Sequence, residues 1–227
     1  MNTVDDKNLI AYLKEFITAE RVIKIEKTIQ QRTRYITIVL ENIFQAQNAS
    51  AVLRSAECMG IQDVHVIENE NAFEIHPDIA MGSSKWITLH QYNQKPNNTI
   101  DAINKLKADG YKVIATMPHE SESMLDDLDL STPIAFLFGT ELTGLSEEAI
   151  AHADGFVKIP MFGFTESFNI SVSVALVMQN ITSRLRKSNI NWQLTEKQQE
   201  EIILEWCKKS LKTPDMIVSR FFEIQSK

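Results

Sequence analysis

Residues 133–163 read PIAFLFGTELTGLSEEAIAHADGFVKIPMFG, and this stretch decides the fold. PIAFLF (133–138) is a short apolar run of the kind that forms a buried strand, and GFVKIPM (155–161) reads as a last strand. Each is followed at once by a glycine-bearing loop, FGTELTG (138–144) and IPMFGF (159–164). Only seven glycines occur in 227 residues, and Gly139, Gly144, Gly155 and Gly163 all fall here. Glycine concentrates where the backbone turns tightly or approaches a ligand closely. Two such loops at neighbouring strand ends imply a pocket lined by backbone amides and carbonyls.

Working outward, YITIVL (35–40) is short, β-branched and bounded by polar residues, so it reads as a buried strand. VHVI (64–67) and YKVIAT (111–116) read the same way. Between the strands, 49–59 has the apolar spacing of a helix that Gly60 ends, and 99–109 one that Gly110 ends. SFNISVSVALVMQNITSRLRK (167–187) is a long helix rich in small residues. Residues 6–30 carry apolar positions at helical spacing, in two pieces, and 195–210 and 214–225 are amphipathic. Strands alternating with helices predict an α/β fold built on a mostly parallel, doubly wound sheet, with helical segments at both ends. Such sheets bind ligands at the carboxyl ends of their strands.

The 227 residues are 44% apolar, which excludes disordered and fibrous classes. The longest apolar runs are far too short to span a bilayer. The amino terminus, MNTVDDKNLI, is not followed by the apolar region of a secretory signal, so the expectation is a cytoplasmic protein. The net charge of −7 is unevenly spread. Residues 1–40 hold seven Lys/Arg against five Asp/Glu, and 184–227 hold nine against six. The middle, 41–183, holds seven against nineteen. Basic ends on an acidic body are permissive for a nucleic-acid partner, although solvated terminal helices would look alike.

The common fingerprints of dinucleotide, P-loop and serine-hydrolase sites are absent. Histidines at 65, 76, 90, 119 and 152 have no ligand spacing, and Cys58 and Cys207 cannot make a zinc cage or a disulfide framework, so no metal is expected.

Three segments stand out together: ENIFQAQNASAVLRSAECMGI (41–61), IAFLFGTELTGLSEEAIAHAD (134–154) and VKIPMFGFTESFNISVSVALVM (157–178). In order and spacing they resemble the three signature motifs of the SpoU (TrmH-type) RNA 2′-O-ribose methyltransferases. The resemblance covers essentially the whole chain. It implies a trefoil knot at the carboxyl end of the sheet, S-adenosylmethionine (AdoMet) as methyl donor, and a homodimer sharing its active site. It also implies a tRNA substrate, with guanosine 18 of the D-loop as target. Ribosomal RNA or another tRNA position is the alternative within the family, and a non-catalytic RNA binder the alternative outside it. Under this resemblance residues 1–34 form a helical N-terminal extension that contacts RNA, 35–187 the catalytic domain with its knot, and 188–227 a helical C-terminal extension.

The resemblance assigns residues as well. Arg54 matches the family's catalytic arginine, which binds an RNA phosphate and promotes deprotonation of the ribose hydroxyl. On its helix it shares a polar side with Ser50 and Glu57, and a solvated pair with Glu57 is the alternative. An ordinary guanidinium does not lose its proton near neutrality, so positioning and charge stabilisation are physically easier than general-base work. Asn48, Glu141, Ser167 and Asn169 match the remaining catalytic positions. Asn48 and Ser167 also suit helix N-caps. Glu41 and Asn42 end the first strand and are expected to shape the site, a plain strand-end polar pair being the alternative. Thr116, Met117, Gly139, Ile159, Met161 and Phe168 are expected to enclose the donor. Arg21, Lys24, Lys27, Arg32 and Arg34 at the front, with Arg184, Arg186, Lys187, Lys208 and Lys209 at the back, would grip phosphates in a salt-dependent way. The sequence departs from the usual family text at Gln45-Ala46-Gln47, which leaves Asn48 and Arg54 intact.

Overall fold

The computed structural model describes residues 3–117 and 123–225; His119 lies outside them. Its helices are α1 (Thr3–Lys14), α2 (Ala19–Ile29), α3 (Ala46–Met59), α4 (Pro77–Ala80), α5 (Thr99–Ala108), α6 (Glu147–His152), α7 (Ile170–Lys187), α8 (Glu196–Lys209) and α9 (Pro214–Gln225). Its strands are β1 (Ile36–Glu41), β2 (Asp63–Ile67), β3 (Thr88–Tyr92), β4 (Lys112–Thr116), β5 (Ile134–Phe138) and β6 (Gly155–Val157). By its contacts the chain forms two compact units, 33–192 and 1–32 with 193–227.

The larger unit is a six-stranded sheet in the order β3-β2-β1-β5-β4-β6, with every pairing parallel. Alternation along the strands sorts the core onto two faces. Ile36, Ile38 and Leu40 of β1, with Phe136 and Phe138 of β5, pack against α3 and α7 through Leu53, Val174 and Met178. Val39, Leu137 and Ala115 face the other way, onto Ile103 and Leu106 of α5 and Ala149 of α6. Burial on both faces is what makes these strands read as unbroken apolar runs.

Three features differ from expectation. The sequence indicates five strands; the sixth, β3, reads TLHQY and sits half-buried at the sheet edge beside β2. β6 ends at Val157 rather than running to Met161, and the Lys158 N–H turns to the Ser123 carbonyl. Helix α3 starts at Ala46 with Gln45 as N-cap, three residues early, and ends at left-handed Gly60 as expected.

The smaller unit packs α1, α2, α8 and α9 around Leu9, Leu13, Ile25, Ile29, Ile202, Trp206 and Phe221. Thr195 and Gln198 close a capping box at the start of α8.

At the β2–β3 edge the register sets His65 opposite His90, and their rings stack at 4.4 Å. His65 Nδ1 lies 3.0 Å from the Tyr92 hydroxyl. Asp63 holds Arg34 Nε at 2.9 Å and His90 Nε2 at 3.4 Å. Burial, then the neighbouring His90, push the His65 pKa down to about 4; Asp63 and Asp109 offset only part of this. In the unfolded chain the imidazole titrates at about 6.5. Between these values the unfolded state binds more protons, so stability falls as pH drops, by about 3 kcal/mol in full below pH 4. Urea unfolding from pH 7 to 4 should show this loss. In His65→Gln the pH dependence should be shallower by about one proton; an unchanged slope would contradict the assignment.

Candidate active site

The register pairs Leu40 with Phe138, so Glu41 and Gly139 emerge side by side at the carboxyl edge of β1 and β5. Beyond β5 the chain makes a tight loop. Thr140 N–H donates to the Gly144 carbonyl at 3.0 Å and Gly144 N–H to that of Thr140 at 3.1 Å. Gly144 is left-handed, with φ 71°. A Cβ at Gly139 would stand 2.2 Å from the Gly144 carbonyl carbon and oxygen, so only glycine fits there.

Glu41 secures the foot of this loop. It is 1% exposed, and its Oε1 accepts from the Thr99 hydroxyl (2.6 Å) and the Ser146 hydroxyl (2.7 Å), its Oε2 from Ser146 N–H (2.9 Å). Ser146 in turn N-caps α6, its oxygen accepting from Ala149 N–H. Both acceptors of a buried carboxylate are thereby satisfied.

The three motif segments meet at Glu141. Its Oε1 accepts from Asn169 Nδ2 at 2.6 Å, Asn48 Nδ2 at 3.0 Å and Ile170 N–H at 3.1 Å. Asn169 Nδ2 also donates to Asn48 Oδ1 at 3.1 Å, and Asn48 Nδ2 to Gln45 Oε1 at 3.1 Å. Asn169 Oδ1 accepts from Ser171 N–H and hydroxyl, which fixes the amide orientation. Asn169, not Ser167, is therefore the N-cap of α7, and Asn48 sits inside α3 rather than capping it. Asn169 caps α7 through its Oδ1 while its Nδ2 is held by Glu141, whereas the Asn48 amide reaches Glu141 from within the first turn of α3.

Beside this cluster lies a cleft of about 400 Å³. Thr116 and Met117 at the end of β4, the 139–145 loop, and Ser167 and Phe168 before α7 line it. A smaller adjoining hollow adds Ile159 and Met161. All six residues expected around the donor thus line one connected region, and Ser167 faces both parts.

The remaining expected residues scatter. Arg54 is exposed on α3, six residues or about 9 Å along the axis from Asn48. It makes no hydrogen bond or ion pair among the described residues. Ser50, expected on its polar side, is buried and accepts the His76 N–H at 2.7 Å. Arg21, Lys24, Lys27 and Lys187 are exposed, as is Arg186, whose Nη2 donates to the Met59 carbonyl at 3.0 Å. Arg32 is a correction: it is 1% exposed, its guanidinium 5.2 Å from the Trp206 ring, and presents nothing to a phosphate. Arg34 is held by Asp63, and Arg184 spends its guanidinium on the Leu125 and Leu128 carbonyls. Lys208 is half-buried and Lys209 pairs with Glu205. Among the described residues no cluster of metal-ligating side chains occurs.

The chain carries a parallel sheet with a glycine-turned pocket and an Asn–Glu–Asn cluster at its carboxyl edge, and comparison places it in a family of RNA methyltransferases. The model of the SpoU rRNA Methylase family matches residues 35–179, and the chain belongs to that family. A tRNA (guanosine(18)-2′-O)-methyltransferase of Borreliella burgdorferi is 46% identical over 92% of this chain and 94% of its own length. Among solved structures, the TrmH/SpoU tRNA modifying enzyme of Aquifex aeolicus superposes with a TM-score of 0.75 at 22% identity, covering 85% of this chain and 97% of its own. AviRb of Streptomyces viridochromogenes, solved with AdoMet, superposes at 0.60 with 21% identity, covering 71% and 65%.

Proposed function

We propose that this protein transfers the methyl group of AdoMet to the ribose 2′-hydroxyl of guanosine 18 in the D-loop of tRNA. The observation that carries this is the convergence of the three motif segments on Glu141 at the rim of a donor-sized cleft. The tRNA methyltransferase that shares 46% of its residues supports the choice of substrate.

The cleft suits the donor. Its volume lies within the usual range for small-molecule sites, and it offers apolar faces at Met117, Phe138 and Phe168 between backbone polar groups. Bound AdoMet would supply an electrophilic methyl on a sulfonium. Thr116, Met117, Gly139, Ile159, Met161 and Phe168 would hold it, and the carboxylate of Glu141 favours a cation along this wall. Asn48 and Asn169, locked by that carboxylate, keep the wall rigid so that donor and ribose meet in one geometry. Ser167 stands at the same rim. The part of Arg54 is to hold an RNA phosphate and stabilise charge that develops on the ribose oxygen.

The same proposal includes the trefoil knot, the homodimer and a cytoplasmic setting. The 123–130 segment lies across α7, through Asn180 to Asp126 and Arg184 to two carbonyls, as a loop around a threaded helix would. Val172 and Leu176 leave one face of α7 apolar and exposed, as a dimer contact would. Exposed Arg21, Lys24 and Lys27 along α2 supply phosphate contacts. No described helix is long and apolar enough to cross a membrane.

Purified protein is to be incubated with methyl-labelled AdoMet and unmodified tRNA transcripts, and the product mapped by nuclease digestion and mass spectrometry. A 2′-O-methyl at guanosine 18 is expected. Donor binding without transfer to any tRNA would move the target to ribosomal RNA, and no donor binding would leave an RNA binder.

A further inference from the structure

On the other side of Glu141 lies a second cleft, of about 350 Å³, whose walls include Phe44, Gln45, Asn48, Glu70 and Asn71. It shares Thr140–Thr143 and Ile170 with the donor cleft, so two binding spaces open on either side of one loop. Phe44, in the link from β1 to α3, is 77% exposed and offers a flat apolar face at this cleft.

The two loops that carry these residues are fastened together. Asn42 holds the left-handed conformation, φ 55°, which is uncommon outside glycine and gathers at functional sites. From there its Oδ1 accepts the N–H groups of Asn69 (2.8 Å) and Glu70 (3.1 Å), and its carbonyl accepts from Asn71 Nδ2 (3.1 Å). The backbone at Glu70 is thus fixed, while its carboxylate accepts no hydrogen bond from the described residues.

We infer that this second cleft receives the base of the acceptor nucleotide, a guanine stacked on Phe44 with its Watson–Crick edge toward Glu70. This rests on the function proposed above and names how that function selects its base. Guanine presents N1–H and the N2 amino group side by side, two donors that match the two acceptors of one carboxylate. Adenine presents an acceptor at N1, which would face the negative charge and be rejected. An aromatic ring supplies stacking to the base regardless of its identity. With the base here and the donor beyond Glu141, the ribose falls between them, beside Asn48 and Glu141.

The test compares tRNA transcripts carrying guanosine or inosine at the methylated position; inosine lacks the 2-amino group. The wild-type protein should methylate the inosine transcript with kcat/KM lower by about tenfold. Glu70→Gln should slow methylation of guanosine and bring the guanosine-to-inosine ratio to within about twofold of unity. Phe44→Ala should raise KM for tRNA about tenfold or more, and Phe44→Trp should restore it. AdoMet affinity by calorimetry should stay at the wild-type value in all three variants, which also shows that they fold. The subsite alone is overturned if the wild-type protein is active while Glu70→Gln keeps the full discrimination or Phe44→Ala keeps the wild-type KM. No methyl transfer by the wild-type protein to either transcript removes the tRNA reading and the subsite with it.

Discussion

Arg54→Ala should lower kcat/KM for methyl transfer to tRNA by about a thousandfold, or about 4 kcal/mol of transition-state stabilisation. AdoMet affinity should remain as in the wild type. The split follows from where Arg54 sits. It lines neither part of the cleft proposed for the donor and takes no part in the Glu141 cluster, so that cleft should survive its removal. Its side chain is exposed in mid-helix, where alanine is the best helix former, so stability should change by no more than about 0.5 kcal/mol. What disappears is a fixed positive charge on the side of α3 that follows Asn48. Arg54→Lys keeps the charge but not the planar fork that pairs with phosphate oxygens in two bonds, and should recover only part of the rate. Near-normal turnover by a folded Arg54→Ala protein would remove this residue from the site.

How much of this was legible in the sequence depends on how far apart the deciding partners lie. β1, β2, β4 and β5 are buried on both faces, so their own residues carry the signal. β3 does not announce itself, because an edge strand needs little apolar area and TLHQY alternates half-buried polar groups. The motif residues were legible as a set, but their bonding was not. Asn48 looks like an N-cap locally, and only Glu141, 93 residues away, turns it into part of a cluster. Ser167 and Asn169 are equally good cap residues, and the three donors gathered on Glu141 decide between them. Basic residues misled most. Arg32 stands in a run of charges yet is covered by Trp206, and Arg184 looks like a cation at a helix end yet serves the carbonyls of a distant turn. Side-chain charge predicts exposure only until an aromatic ring or unpaired carbonyls outcompete water for it. The cleft between Phe44 and Glu70 has no motif at all, since it arises from two loops joined through Asn42.

Gly139→Val should abolish measurable AdoMet binding, weakening it by about a hundredfold or more, equivalent to about 2.7 kcal/mol. The atoms a Cβ would strike are the Gly144 carbonyl at 2.2 Å and the Leu145 nitrogen at 2.4 Å, all main chain. No rotamer change relieves such a contact; the loop must open, breaking the pair of hydrogen bonds between Thr140 and Gly144. That loop carries Glu141, Leu142 and Thr143 along both clefts, so its opening removes a wall of the cleft proposed for the donor. Glycine content alone does not make this argument, and two further glycines separate the causes. Gly144→Ala meets no atom within 4 Å and suffers only its left-handed φ of 71°, a strain of about 1–2 kcal/mol, so binding should weaken modestly. Gly163→Ala has its nearest contact at 3.9 Å, an ordinary van der Waals distance, and should bind as the wild type. Calorimetry on the three variants should therefore rank Gly139 far above Gly144 and Gly144 above Gly163. Wild-type affinity in a folded Gly139→Val protein would mean that the donor does not use this loop, and the site would have to be sought elsewhere on the carboxyl edge.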